Sequence, residues 1–376
     1  MNKSLNTSVI QERLTSLGLS QSKVSLELSV SREAVSQWLS NESFPRPGKL
    51  LKLGSLLSLK YSELVTQSDV LEPFVAFRKV GNAITKTKHI QRAKEMGGAF
   101  EQLVPFLPFE NLTNPTSLNQ PVLEYSYIQS AASAIRNLLG ISKIKIEVSD
   151  IISYFSQSKT ILVPVLLGGK KNHENAIHIH LPKSATNWIY INLDTNELDF
   201  KFWLVHELGH ILSPQLRDDD ISEEFADNFA GAFLFPEEIA ASVHKTVSQL
   251  SLINQQLSVI FANATRYTIS AITVLKEINK YAKHHNLQEF DFGRNFYPQN
   301  TQFNKKFALV SRNIFGSNKP SVEDYITLCA REFQTVFFDS LSEYISQKQV
   351  SSSFIITLLN LPVTDSIEIY NYLNGL

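Results

Sequence analysis

Apolar residues at helical spacing, broken by serine and glycine, open the chain. Leu14 and Leu17 precede Gly18, which reads as a helix stop because glycine tolerates the left-handed backbone that ends helices. Ser20 stands where an N-cap belongs and opens SQSKVSLEL, while Val30 fills a tight turn and Ser31 caps the next short helix, REAVSQWLS. Val24, Leu28, Val35, Trp38 and Leu39 recur at spacings that pack these two helices across the turn. Leu50, Leu53, Leu56 and Leu57 form the inward stripe of a further helix. Arg32, Glu33, Ser36 and Gln37 are left on the outer face of the second short helix.

Further along, the pattern changes twice. Residues 75–103 read as a basic, helical connector, and the Pro-rich stretch 105–121 as a boundary, since proline with Asn, Ser and Thr resists continuing a helix. A helix over about 124–139 ends at Gly140. Strand-like runs follow at KIKIEV, TILVPVLL, NAIHIHL and NWIYINL, all dominated by β-branched and aromatic residues. From about residue 196 the pattern is almost entirely helical, with breaks near 214, 236, 293–298 and 316–320. The expected fold class is α+β, mostly α. It comprises a helical N-terminal module (1–70), a basic helical connector and Pro-rich linker (71–121), a domain with a small β-sheet (122–282) and a helical C-terminal region (283–376). No repeat of solenoid length is present.

Composition narrows the function classes. A chain of 376 residues suggests two or three domains, and 43% hydrophobic against 19% charged residues is enough to build cores. The one cysteine, Cys329, excludes an internal disulfide, a cysteine-held iron–sulfur cluster and a cysteine zinc cluster, and it reads as a buried core thiol. The N-terminus has no apolar signal core and no run approaches ~20 apolar residues, so a soluble, cytoplasmic protein without a membrane partner is expected. The net charge of −1 hides an asymmetry: residues 1–100 hold 14 Lys+Arg against 8 Asp+Glu, the remainder 21 against 28. The basic part is suited to a polyanion.

Two short helices crossed over a tight turn place the second in the major groove of double-stranded DNA. Arg32, Ser36 and Gln37 can reach base edges there, while Gln21, Lys23 and the capped helix start at Ser31 can hold phosphates. The run LSQSKVSLELSVSREAVSQWLSN followed by FPRPGKLLKLGSLL resembles the helix-turn-helix of the phage-repressor-like (XRE) family. It departs from that family at Leu39, where Glu is frequent, and at Asn41, where Gly is; Asn also tolerates the left-handed turn. The resemblance implies an operator bound as a homodimer on a two-fold site.

The sharpest chemical signal is FWLVHELGHIL. His206 and His210, four apart on a helix, project from one face and can reach one ion, while Glu207 can take a proton from an activated water. Phe202, Trp203, Val205, Leu208, Ile211 and Leu212 make this helix strongly apolar, so its polar groups need partners. A second helix, ISEEFADNFAGAFLFP, carries Glu223 and Asp227 on one face. Glu223 suits a third ligand and Asp227 a carboxylate supporting a ligating histidine; Glu224, about 100° round the helix, is a rival ligand. Two imidazoles and a carboxylate suit Zn2+, though the pattern does not separate zinc from manganese or iron.

At this point YINLDTNELDFKFWLVHELGHIL with EEFADNFAGAFLFP resembles the ImmA/IrrE family of metallopeptidases. That family pairs HExxH with a downstream Glu-x-x-Ala-Asn/Asp-x-Phe-Ala helix ending in Leu-x-Pro. The similarity covers roughly 122–282, with Asp227 where Asn is usual. It implies a zincin-like domain with His206, His210 and Glu223 as zinc ligands and Glu207 as general base. It also implies an endopeptidase, active or latent, that cleaves a helix-turn-helix repressor or the chain itself in a stress, phage or mobile-element response. An alternative is a transcription factor that uses the peptidase fold only to sense a ligand. His178, His180, Tyr190, His244 and Tyr267 are candidates to stabilise an oxyanion. His178 and His180 alternate along one strand and read first as a half-exposed pair. Residues 283–376 show helical stripes and no chemistry of their own.

Overall fold

Ser20 and Ser31 cap the helices they precede: Ser20 Oγ accepts from the Lys23 amide at 3.3 Å and Ser31 Oγ from the Ala34 amide at 3.1 Å. The computed structural model describes residues 3–40, 43–67, 74–77, 87–141, 145–167, 176–216 and 219–375, and structural statements below concern these. Asn41, residues 78–86 of the expected connector and the start of KIKIEV lie outside them. The chain forms two compact units, Met1–Glu72 and Pro73–Leu376. No helix among the described residues is long and apolar enough to cross a membrane.

In the first unit, β1 (Lys3–Leu5) leads into α1 (Thr7–Ser16), α2 (Gln21–Leu28), α3 (Arg32–Leu39), α4 (Pro47–Leu57) and α5 (Tyr61–Leu64). β2 (Val65–Gln67) then pairs antiparallel with β1 and ties the two ends together. Ile10, Leu14, Val24, Leu28, Val35, Trp38, Leu50, Leu53 and Leu57 share one core, so the apolar spacing seen in the sequence is the packing code. Ser29 adopts the left-handed conformation (φ 49°) that turns α2 into α3. Lys49 Nζ holds that corner by donating to the carbonyls of Leu28 (2.5 Å) and Ser29 (3.2 Å), satisfying orphan groups at the end of α2.

The second unit begins with β3 (Phe74–Phe77), α6 (Thr87–Leu103), α7 (Tyr125–Leu138) and α8 (Val148–Gln157). Strands β4 (Thr160–Val165), β5 (Ala176–Leu181) and β6 (Thr186–Asn192) follow, then α9 (Glu197–Leu212) and α10 (Asp219–Leu234). The sheet runs β3-β5-β6-β4, with β4 parallel to β6 and the other pairs antiparallel; β4 and β6 are buried throughout. Helices α11 (Glu237–Ser248), α12 (Ile253–Tyr267) and α13 (Ala271–His284) pack on one another, and α13 packs on α10. Next come α14 (Phe296–Asn304), α15 (Val310–Phe315), α16 (Val322–Phe333), α17 (Phe337–Lys348), α18 (Ser353–Leu359) and α19 (Val363–Leu373).

Three stretches differ from their sequence readings. Residues 145–148 of KIKIEV are not a strand: reciprocal bonds between Glu147 and Asp150 box the start of α8 there, and capping outweighs β-branched composition. The described residues of 71–121 form no free-standing connector, since Phe74–Phe77 pair antiparallel with β5 and Met96, Phe100 and Leu103 are buried in the core of the second unit. Within the Pro-rich stretch, the Leu118 amide donates to Leu212 O at the end of α9 (2.7 Å). Residues 283–376 likewise share that core rather than standing apart. The amides of Val310 and Ser311 donate to Thr195 O and Leu193 O (both 2.8 Å), and the Tyr190 hydroxyl reaches Leu359 O.

Candidate metal centre

Helix α9 starts where Asn196 Oδ1 accepts from the Leu198 amide at 3.0 Å, and every residue from Trp203 to Leu212 is buried. A helix apolar on all sides is held inside a core. Its closest neighbour is α10, and Gly209 sets the distance: a Cβ there would stand 3.0 Å from Ala226 Cα. A histidine pair on α9 is thereby brought against a carboxylate pair on α10.

The imidazoles converge. His206 Nε2 and His210 Nε2 lie 3.1 Å apart; Glu223 presents Oε1 to His210 at 3.2 Å and Oε2 to His206 at 3.5 Å. All three ligand atoms fall within 4.8 Å of one another. The far nitrogens are anchored: His206 Nδ1–H donates to Asp227 Oδ1 at 2.9 Å, and His210 Nδ1 lies 3.0 Å from Ser222 Oγ, which can accept its proton. Glu207 is buried beside them, at 3% exposure, and its charge acts on His206. Glu224, the rival ligand, is exposed.

In the first unit, Lys23, Ser31, Arg32 and Ser36 are exposed and Gln21 and Gln37 half-buried, on α2, α3 and the turn that joins them. The Ser31 oxygen is engaged by the Ala34 amide, leaving its hydroxyl proton to donate elsewhere.

Two family models match the chain. Residues 10–64 match a helix-turn-helix and residues 165–279 the IrrE N-terminal-like domain. In this order the chain carries an XRE-type helix-turn-helix domain and an IrrE/ImmA-like, metallopeptidase-like domain. No curated protein matches it.

Within the IrrE-like domain the donor set fits a metal ion. With both Nδ1 atoms donating, both Nε2 atoms turn lone pairs toward the Glu223 carboxylate, and three acceptors at such separations repel unless a cation lies between them. Tetrahedral zinc with bonds of about 2.0–2.1 Å holds its ligand atoms about 3.4 Å apart, close to the spacing found here. Without metal, protons substitute. Burial pulls the His206 imidazolium down, but the hydrogen bonds to Asp227 and Glu223 and the charge of Glu207 outweigh it and raise its pKa to about 9. Burial pushes the Glu223 carboxyl up, and hydrogen bonds from His206 and His210 overturn this and hold it at about 2.

Sequence reasoning missed two partners. Ser222, one residue before Glu223, orients His210; its place in the first turn of α10 was the available signal. Asn187 on β6 accepts at Oδ1 from His178 Nε2 (2.9 Å) and from His180 Nδ1 (3.0 Å). His178 is not half-exposed: it is 3% exposed, because β5 is covered on that face, and its ring stacks on His210 with centroids 6.0 Å apart. Burial, then the neighbouring His210, drives its pKa down to about 3. The other oxyanion candidates are committed elsewhere. Tyr190 binds Leu359 O, His244 donates to Gln288 O at 2.8 Å, and Tyr267 is buried edge-on against Phe235. Cys329 is fully buried, with its thiol pushed well above the usual range by burial.

Proposed function

We propose that the chain is a DNA-binding transcriptional regulator whose IrrE-like domain is a zinc endopeptidase acting on a repressor-type regulator, either a partner or the chain itself. The observation that carries this reading is the convergence of His206, His210 and Glu223 on one point with Glu207 buried beside it. His206, His210 and Glu223 hold the ion, and Asp227 and Ser222 fix the histidine tautomers from behind. Zinc, when bound, supplies a water of lowered pKa and a Lewis acid for the scissile carbonyl. Glu207 takes a proton from the attacking water and delivers it to the leaving amine. Exposed Arg32 and Ser36, with Gln37, contact bases; Gln21, Lys23 and Ser31 contact phosphates, as a homodimer on a two-fold operator in the nucleoid.

The test compares wild type with Glu207→Gln on candidate helix-turn-helix repressors and on the chain itself, with products read by mass spectrometry. Peptides released by wild type alone, with zinc and DNA binding equal in both, support the reading. The same fragments from both proteins would overturn it.

A second reading, ligand sensing without proteolysis, is favoured by one feature. A cavity of about 410 Å³ is lined by Arg312, Phe315, Tyr325 and Ile369 and reaches Asp194 in the loop that precedes α9. There Asp194 Oδ1 accepts from Ser311 Oγ at 2.7 Å, so an occupant would touch the segment that starts the HExxH helix. DNA binding altered by a metabolite, with no peptide product under any condition, would select that reading.

A further inference from the structure

Beside the ligating histidines sits a third imidazole whose chemistry is half accounted for. Asn187 Oδ1 can only accept, so His178 spends its Nε2 proton on it. An imidazolium buried to 3% exposure with no carboxylate bonded to it would be costly, which leaves the ring neutral and Nδ1 as a bare lone pair. That Nδ1 is buried and has no hydrogen-bond partner, although the ring lies stacked on His210. Buried polar atoms are almost always paired, and the exceptions mark places that a ligand or water completes. A ring with this tautomer offers no proton to an oxyanion. It is an acceptor.

We propose that His178 Nδ1 accepts a hydrogen bond from the attacking water and so orients it, while Glu207 receives the water's other proton. The two residues then share one water: Glu207 from α9 removes a proton, and His178 from β5 fixes the direction of the remaining O–H and hence of the lone pair that attacks. Asn187 serves this role from behind by locking the His178 tautomer, as Asp227 and Ser222 lock those of His206 and His210. The meaning of this assignment rests on the peptidase reading, but its test does not.

The test loads Co2+ into wild type, His178→Phe and His178→Asn and records the visible absorption of the bound ion, its stoichiometry and the thermal midpoint. Phe keeps a ring to stack on His210 but has no acceptor; Asn keeps a carbonyl near the Nδ1 position but has no ring. The expected result is about one cobalt per chain in all three, with the bands shifted in His178→Phe and restored toward wild type in His178→Asn. Bands shifted by Asn and not by Phe would show a packing role and overturn the proposal. So would unchanged bands in both variants, or loss of cobalt from both. If wild type cleaves nothing at all, the peptidase reading fails while the cobalt spectra still decide the role of His178. Where a substrate is cleaved, kcat should fall about tenfold or more in His178→Phe with KM unchanged.

Discussion

The Nδ1–H of His206 points at Asp227 Oδ1, 2.9 Å away on the neighbouring helix. This single bond fixes the tautomer that leaves Nε2 free for a cation and gives the imidazole a carboxylate behind it, which raises its basicity. Replacing Asp227 with Asn keeps the shape but removes the charge. Zinc affinity, measured by competition with a chelator, is expected to fall about 10–100-fold. An unchanged affinity would show that Asp227 only fills space.

Metal-free protein should be most stable near pH 6.5, for two opposed reasons. His206 has its pKa raised from 6.5 to about 9, so its contribution is complete below 6.5 and fades as pH rises through 9. His178 has its pKa lowered from 6.5 to about 3, so the unfolded state gains protons more readily and stability drops as pH falls from 6.5 toward 3. Glu223, lowered from 4.5 to about 2, adds a further loss as pH falls below 4.5. Thermal midpoints after chelation should trace this maximum, and His178→Phe should flatten the acid side. A midpoint rising steadily to pH 9 would contradict the assignment.

Gly209 makes α9 and α10 touch. An added Cβ, 3.0 Å from Ala226 Cα, meets backbone that cannot step aside cheaply. Gly209→Ala should therefore cost about 1–3 kcal/mol of stability in denaturant titration. Zinc content should fall with it, because α10 carries Glu223. Full stability with full zinc would mean that the helices separate without penalty.

On the DNA-binding domain, Arg32→Ala should weaken specific binding without unfolding the unit, since Arg32 lies outside its core. Binding of both proteins should fall steeply with salt, because released counterions drive phosphate contacts. Trp38→Ala is the contrast: Trp38 is 7% exposed in the core, and its loss should cost about 3–5 kcal/mol, enough to unfold the unit. Gel-shift titrations beside circular dichroism separate the two effects.

Much of this was legible because it is local. Ser20 and Ser31 announce their helices through side-chain oxygens three residues from the amides they bind, and His206 and His210 share a face by helical periodicity alone. The strand Phe74–Phe77 was hidden because its partner β5 lies a hundred residues away and its four apolar residues run straight into the basic Arg78 and Lys79. Lys201 was hidden too. Its amine is buried and donates to Tyr267 O at 2.7 Å, and long-range capping of one helix end by another helix's lysine leaves no mark in the local pattern. The burial of His178 depended on how the sheet packs against α9. Alternation along β5 shows which residues share a face but not what covers it.

The central claim is that His206, His210 and Glu223 form a metal centre, and metal content tests it most directly. Elemental analysis of purified wild type beside His210→Ala should give about one zinc per wild-type chain and almost none in the variant, with both proteins folded. No stoichiometric metal in wild type, even after zinc is supplied and the excess dialysed away, would contradict it.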